Sequence, residues 1–74
     1  MHSFSDIINA WPEPAPVTLA TDLGEEPATI RQCRLRDALP PHYWRRAVAA
    51  ARRRRLRGVT LQKLAEIAER KAAA

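Results

Sequence analysis

The side chains that could carry out catalysis or bind a metal are few in this 74-residue sequence. Its two histidines, His2 and His42, are far apart, and Cys33 is the only cysteine. One cysteine and two histidines cannot complete a structural zinc site without help from carboxylates. The chain has only two glycines, so it offers no glycine-rich loop to hold a phosphate. We therefore expect no enzymatic activity, no bound metal and no cofactor.

A different chemistry is available to Arg31 and Gln32, which are adjacent in the sequence. An arginine can donate two hydrogen bonds to guanine O6 and N7, and a glutamine can form two with adenine N6 and N7. The alternative is that both side chains simply face solvent on a surface helix. The elements around them decide between these interpretations.

Those elements have the pattern of two helices joined by a tight turn. Leu19, Ala20 and Leu23 lie on one face of a helix that we place at residues 17–23. Gly24 follows, and glycine adopts the left-handed conformation that ends a helix without a steric penalty. Ala20 is small at the position where a second helix must approach closely.

The second helix is predicted at residues 27–36. Pro27 suits its first turn, where a missing N–H does no harm. Ile30 and Cys33 give it a narrow apolar stripe, so we expect the Cys33 thiol to be buried. By subtraction, either Leu35 or Arg34 lies near the edge of that buried face.

The order and spacing of Leu19-Ala20, Leu23-Gly24 and Ile30 resemble the helix-turn-helix of Cro/repressor-type DNA-binding proteins. The sequence Leu39-Pro40-Pro41-His42-Tyr43-Trp44, followed by an alanine-rich helix, is similar to small Cro-like regulators of bacterial prophages and phage-derived elements. The resemblance covers roughly residues 3–68. It implies one all-α domain, residues 1–74, built as a compact lambda-repressor/Cro-like bundle of about five short helices.

In such a fold the N-terminal part of the second helix enters the major groove. The outward residues then assigned to base contacts are Pro27, Ala28, Thr29, Arg31 and Gln32. Neighbouring cations would hold phosphates, and Thr18 would do so from the start of the preceding helix. The residues assigned to the DNA backbone are Thr18, Arg34, Arg36, Arg45 and Arg46.

Charge is distributed unevenly along the chain, whose net charge is +5. Up to Pro27 there are five acids and no Lys or Arg, whereas from Ala28 onward there are thirteen Lys or Arg and three acids. This asymmetry indicates an anionic partner for the second half, because basic patches are typical of nucleic-acid-binding proteins. The alternative is an arginine-rich helix face that is only solvated.

The remaining elements follow from caps and prolines. Ser3 is a predicted N-cap for a short first helix, which three prolines close. Pro41 is expected to begin a fourth helix, with Trp44 as the largest core residue, packed on the helix-turn-helix pair. We expect Gly58 to end that helix, and Thr60 to cap a last helix at about residues 60–71.

Two segments allow more than one interpretation. The run Arg52–Arg55 either contacts flanking DNA, keeps the protein soluble, or pairs with acids such as Asp22 and Glu25.

The last helix carries an apolar face that is either a dimer contact or the completion of the monomer core. One helix-turn-helix buries little DNA surface, so tight binding favours a homodimer on a two-fold site. The residues concerned are Leu61, Leu64 and Ile67.

The sequence thus predicts a cytoplasmic, nucleoid-associated regulator of transcription that binds double-stranded DNA. The alternative is a protein-interaction adaptor, an anti-repressor or a polymerase-binding cofactor, which Glu25 and Glu26 at the turn favour. No apolar run approaches membrane-spanning length, and no signal peptide is visible. A basic helix on an anionic membrane is a weaker interpretation, because apart from Trp44 that helix lacks a bulky apolar face.

Overall fold

Five α-helices and one 3₁₀ turn form the part of the chain that the computed structural model describes, residues 2–73. In chain order these are α1 (Phe4–Asn9), α2 (Ala15–Leu23), α3 (Pro27–Arg36), the 3₁₀ turn Pro41–Tyr43, α4 (Trp44–Arg53) and α5 (Leu61–Ala73). No strand occurs within residues 2–73, so the predicted all-α bundle of about five short helices is confirmed. Met1 and Ala74, which the predicted domain includes, lie outside the described residues.

The buried apolar side chains of all five helices form one continuous cluster. Its largest fully buried member is Trp11, directly after α1, with 2% of its surface exposed. Trp44 is only partly buried, so the prediction that it is the largest core residue was wrong. Its ring lies 6.3 Å from that of Phe4, and its indole N–H donates to Leu39 O at 2.7 Å. This bond to a linker carbonyl keeps the Trp44 ring at the margin of the core.

The predicted helix starts depend on local hydrogen bonds. The Ser3 hydroxyl accepts from the Asp6 N–H at 3.1 Å, and the Thr60 hydroxyl accepts from the Lys63 N–H at 3.1 Å, so both caps are confirmed. α2 begins at Ala15, two residues earlier than predicted, because its first turn accommodates a proline that has no N–H to satisfy.

Three helices, α2, α3 and α4, end with the same backbone motif. A residue in the left-handed conformation is followed by a residue whose N–H donates to a carbonyl of the helix. The left-handed residues are Gly24 (φ 71°), Asp37 (φ 50°) and Arg55 (φ 59°). The N–H of each following residue donates to a carbonyl five positions earlier, the pattern of a Schellman motif. The bonds are Glu25 to Ala20, Ala38 to Cys33 and Leu56 to Ala51, at 2.8–3.0 Å.

This motif confirms Gly24 as the residue that ends α2, but it ends α4 earlier than the sequence predicted. The sequence predicted that α4 would continue to Gly58, whereas its last residue is Arg53 and Arg55 takes the left-handed position. The reason is packing, because the motif places the apolar Leu56 against the core. Gly58 also has a positive φ, 85°, but it lies within the loop that leads to α5.

One carboxylate joins three separate parts of the fold. Asp22 of α2 accepts from the Trp11 indole N–H at 2.8 Å and from Arg54 Nε and Nη2 at 2.6 and 3.0 Å. These bonds connect α2 to the segment after α1 and to the segment after α4. The hydrogen bond from Arg54, assisted by that from Trp11, lowers the pKa of Asp22.

Asp22→Asn is expected to lower the free energy of unfolding at pH 7 by about 1 kcal/mol, because charge-assisted bonds to a carboxylate are lost. A lowered pKa in the folded state stabilises above the unfolded value and loses its effect as the pH falls through the folded value. The difference between variant and wild type should therefore shrink as the pH drops below about 4. Urea denaturation at pH 7 and pH 3 measures this, with the exposed Glu69→Gln as control. Equal stability of Asp22→Asn and wild type at pH 7 would contradict it.

Candidate nucleic-acid interface

The predicted pair of helices and their tight turn are present in the structure. Only Gly24, Glu25 and Glu26 separate α2 from α3, and these two helices have the most extensive contact of any pair of elements. α3 has the predicted bounds, with Ile30 fully buried and Cys33 8% exposed. Burial also raises the pKa of the Cys33 thiol, which favours its neutral form.

The outward face of α3 contains the residues predicted to contact bases. Ala28, Arg31 and Gln32 are exposed, and Pro27 and Thr29 are half-buried beside them. Within residues 2–73, neither the Arg31 guanidinium nor the Gln32 amide has a hydrogen bond or ion pair. The structure therefore places Ala28, Arg31 and Gln32 on one outward face, with Pro27 and Thr29 at its two edges, and leaves the two long polar side chains available.

Leu35 also belongs to this outward face, where 78% of its surface is exposed. Of the two residues considered for the edge of the buried face, Arg34 is half-buried, as that prediction allows, whereas Leu35 does not lie at the edge. At 100° per residue, Leu35 lies about 140° from Ile30 and about 160° from Cys33 around the helix axis. Spacing alone therefore contained the signal that Leu35 shares a face with Ala28, Arg31 and Gln32.

The C-terminal end of α3 is fixed against α1. The Ser5 N–H donates to Asp37 Oδ1 at 2.9 Å, and the Ser5 hydroxyl donates to Arg34 O at 2.8 Å. Lys71 of α5 lies 3.5 Å from the Asp37 carboxylate. The bond from Ser5, with a further contribution from Lys71, lowers the pKa of Asp37.

The N-terminal end of α3 is held through the end of α2. Arg46 of α4 donates from Nη1 to Leu23 O at 2.7 Å, and its guanidinium lies 5.3 Å from the centre of the Tyr43 ring. Burial, followed by the nearby charge of Glu25, raises the pKa of the Tyr43 hydroxyl, so this phenol stays neutral at physiological pH. Arg46 therefore supports the turn that leads into α3.

The residues predicted to contact the DNA backbone fall into two groups. Arg36 and Arg45 are exposed and have no side-chain partner among residues 2–73. Arg34 is half-buried with Nη1 3.5 Å from Asn9 Oδ1, and Arg46 has the internal bond described above.

Thr18 does not fit the predicted role of a donor at the start of α2. Its N–H and its hydroxyl both donate to Pro14 O, at 3.0 and 3.2 Å, because α2 begins three residues before it. Neither donor is left for an external phosphate.

The last helix does not present all three residues considered for a dimer contact. Leu64 and Ile67 are buried in the chain's own core, so for them the monomer-core alternative holds. Leu61 is 47% exposed and remains on the surface.

The run Arg52–Arg55, which begins in α4 and continues beyond it, is divided in a similar way. Arg54 pairs with Asp22, which was one of the three interpretations of this run. Arg52, Arg53 and Arg55 are exposed and unpaired among residues 2–73.

Comparison with known proteins gave no match to a protein family, to a curated protein or to a solved structure. Within residues 2–73, no three side chains of His, Cys, Asp or Glu gather as a metal site would require. None of the helices in the same range has the length and apolar content needed to span a bilayer. The outward face of α3 and the residues that position it are therefore the features of the molecule that bear on its function.

Gly24→Ala is expected to lower the free energy of unfolding by about 1 kcal/mol, because alanine is strained at a positive φ. An added Cβ would meet no atom within 4 Å, so the cost comes from backbone conformation alone. Gly24→Asn is the matched control and should be less destabilised, since asparagine tolerates the left-handed region. Thermal denaturation of both variants tests this, and an alanine variant as stable as wild type would contradict it.

Proposed function

We propose that this chain is a small Cro-like transcriptional regulator that binds double-stranded DNA by inserting α3 into the major groove. It would act in the cytoplasm of a bacterium, associated with the nucleoid. The observation that carries this proposal is the outward face of α3, where Arg31 and Gln32 are exposed side by side without partners in residues 2–73. A guanidinium and an amide are the groups best suited to two-point hydrogen bonding with guanine and adenine.

The rigidity of α3 supports the same function. Its C-terminal end is bonded to Ser5, and the carbonyl that precedes its turn is bonded to Arg46. A helix held at both ends loses little conformational entropy when it binds, so more of the contact energy appears as affinity. The bonds to α3 itself use backbone groups and Asp37, and so leave the outward side chains free.

Phosphate contacts would complete the interface. Arg36 at the end of α3 and Arg45 at the start of α4 are both exposed cations close to the helix-turn-helix pair in sequence. Such residues position a protein on the duplex without distinguishing sequences. A homodimer would place two copies of α3 on half-sites about one helical turn apart, and Leu61 is the exposed apolar residue of α5 that remains for its contact.

Arg31→Ala and Gln32→Ala are each expected to relax sequence preference at one base position, by about 1–3 kcal/mol of discrimination. Arg45→Ala should instead weaken binding to all duplexes, since a phosphate contact is lost. Selection from a randomised duplex library, followed by titration of the best and an unrelated site, measures both effects. Arg70→Ala and Gln62→Ala on α5 are matched controls and should preserve the preference.

Two results would contradict this assignment. The first is unchanged preference in both α3 variants, which would show that α3 does not contact the bases. The second is equal affinity of the wild type for all duplexes, which would leave no sequence preference to explain.

Leu35 supports a second candidate function, a protein-interaction adaptor that binds RNA polymerase or another regulator. Leu35 is 78% exposed beside Arg31 and Gln32, and a protein partner that covers this face would bury its apolar side chain. Glu25 and Glu26 at the turn add negative charge that a phosphate backbone would repel.

Leu35→Ala separates the two candidates. For an adaptor, this variant should lose at least about tenfold in affinity for purified RNA polymerase, the scale of a buried hot-spot side chain. For a DNA-binding regulator, it should keep its preferred site and its contacts from Arg31 and Gln32. Titration of wild type and variant against polymerase and against duplex DNA decides between them, and Leu61→Ala is the control for removal of an exposed leucine.

A further inference from the structure

The outward face of α4 carries arginines and no acid. Arg45, Arg52 and Arg53 are exposed along it, with the small Ala49 between them. The absence of negative charge extends further, because the sequence has no Asp or Glu anywhere in residues 38–65. Along the chain, these arginines are therefore not interleaved with carboxylates that would neutralise them, which favours an external anion as their partner.

This face lies beside the turn that leads into α3. Arg46, in the first turn of α4, bonds to Leu23 O at the end of α2. At the other end of α4, Arg53 comes close enough to Asp22 for its charge to help lower the pKa of that carboxyl, after the hydrogen bonds from Arg54 and Trp11. Side chains from the first turn of α4 and from the residue after its end therefore reach the last turn of α2.

Arg55 continues the series and occupies a position where a side chain is disfavoured. Of the three left-handed residues that end helices, Gly24 has no side chain to strain. The strained backbone of Asp37 is offset by contacts, because its carboxylate accepts a hydrogen bond from the Ser5 N–H and lies close to Lys71. The Arg55 side chain has no hydrogen bond or ion pair within residues 2–73. The left-handed backbone of Arg55 belongs to the turn that packs Leu56 on the core, and the Arg55 side chain is left available for an external anion.

We infer that Arg52, Arg53 and Arg55 extend the phosphate contact proposed above for Arg45 into one phosphate-binding surface, which contacts the sugar-phosphate backbone of duplex DNA whatever its sequence. This α4 arginine surface deepens the proposed function, on which it rests for the identity of the polyanion, and it does not require base contacts by α3. A membrane fits the surface less well, because Ala49 is the only fully exposed apolar residue of α4 and is too small to insert into lipid.

Arg55→Gly is the sharpest test, because the fold and the inferred contact respond to it in opposite directions. The midpoint of thermal unfolding should stay the same or rise, since glycine is unstrained at this φ. Affinity for both a preferred and an unrelated duplex should fall by up to about fivefold, the scale of one exposed ion pair. The slope of log affinity against log salt should become shallower by about 1.

Two further variants complete the experiment. The double variant Arg52→Gln/Arg53→Gln should reduce the salt slope by about 2, one for each lost phosphate contact. Arg70→Gln removes one charge from the C-terminal part of α5, where Arg70 bonds to His2 O, and should leave the slope unchanged.

The outcomes separate this inference from the proposed base contacts. If Arg55→Gly lowers affinity for every duplex while Arg31→Ala changes nothing, the α4 arginine surface stands and base recognition by α3 fails. If Arg55→Gly binds all duplexes like wild type, or loses no more affinity than Arg70→Gln, the inference is overturned. It is also overturned if wild type binds no duplex at 50 mM salt, or if the arginine variants lose binding only to vesicles of anionic phospholipid.

Discussion

The Asp22 carboxylate is the interaction on which the rest of the structure depends. It accepts hydrogen bonds from the indole of the largest fully buried side chain and from the arginine that follows α4. Its side chain is only 13% exposed, so these charge-assisted bonds are stronger than they would be in open solvent. It also joins the acidic first part of the chain to the basic second part. The apolar cluster supplies most of the burial, but this carboxylate determines where the two parts meet.

The hydrogen bonds that position the candidate interface on α3 do not involve its outward side chains. Hydrogen bonds to Ser5, to the carbonyl of Leu23 and within the Schellman motifs act on backbone groups and on the ends of helices. The outward side chains of α3 take no part in them. The fold therefore separates the residues that position α3 from those that would contact a partner, so that the second group can change without loss of the first.

Local chemistry made much of this fold predictable. Ser3, Gly24, Pro27 and Thr60 act through bonds or dihedral angles within a few residues, so the sequence alone marked those helix boundaries. The all-α class, the bounds of α3 and the burial of Cys33 followed from the same patterns.

The predictions that were wrong depended on contacts between residues far apart in the sequence. Trp44 is not the largest core residue, because its indole N–H bonds to Leu39 O at the margin of the core, whereas Asp22 satisfies the buried indole of Trp11. Likewise, α4 ends early because Leu56 packs on the core. Leu35 was different, because its outward position could be read from the spacing of the sequence and was missed.

The burial of the Cys33 thiol also affects its reactivity. Because Cys33 lies on the inner face of α3, only 8% exposed and mostly protonated, reagents should alkylate it far faster when that helix leaves the core. The rate at which Cys33 is alkylated would thus measure the local opening of α3, and no cysteine would have to be introduced.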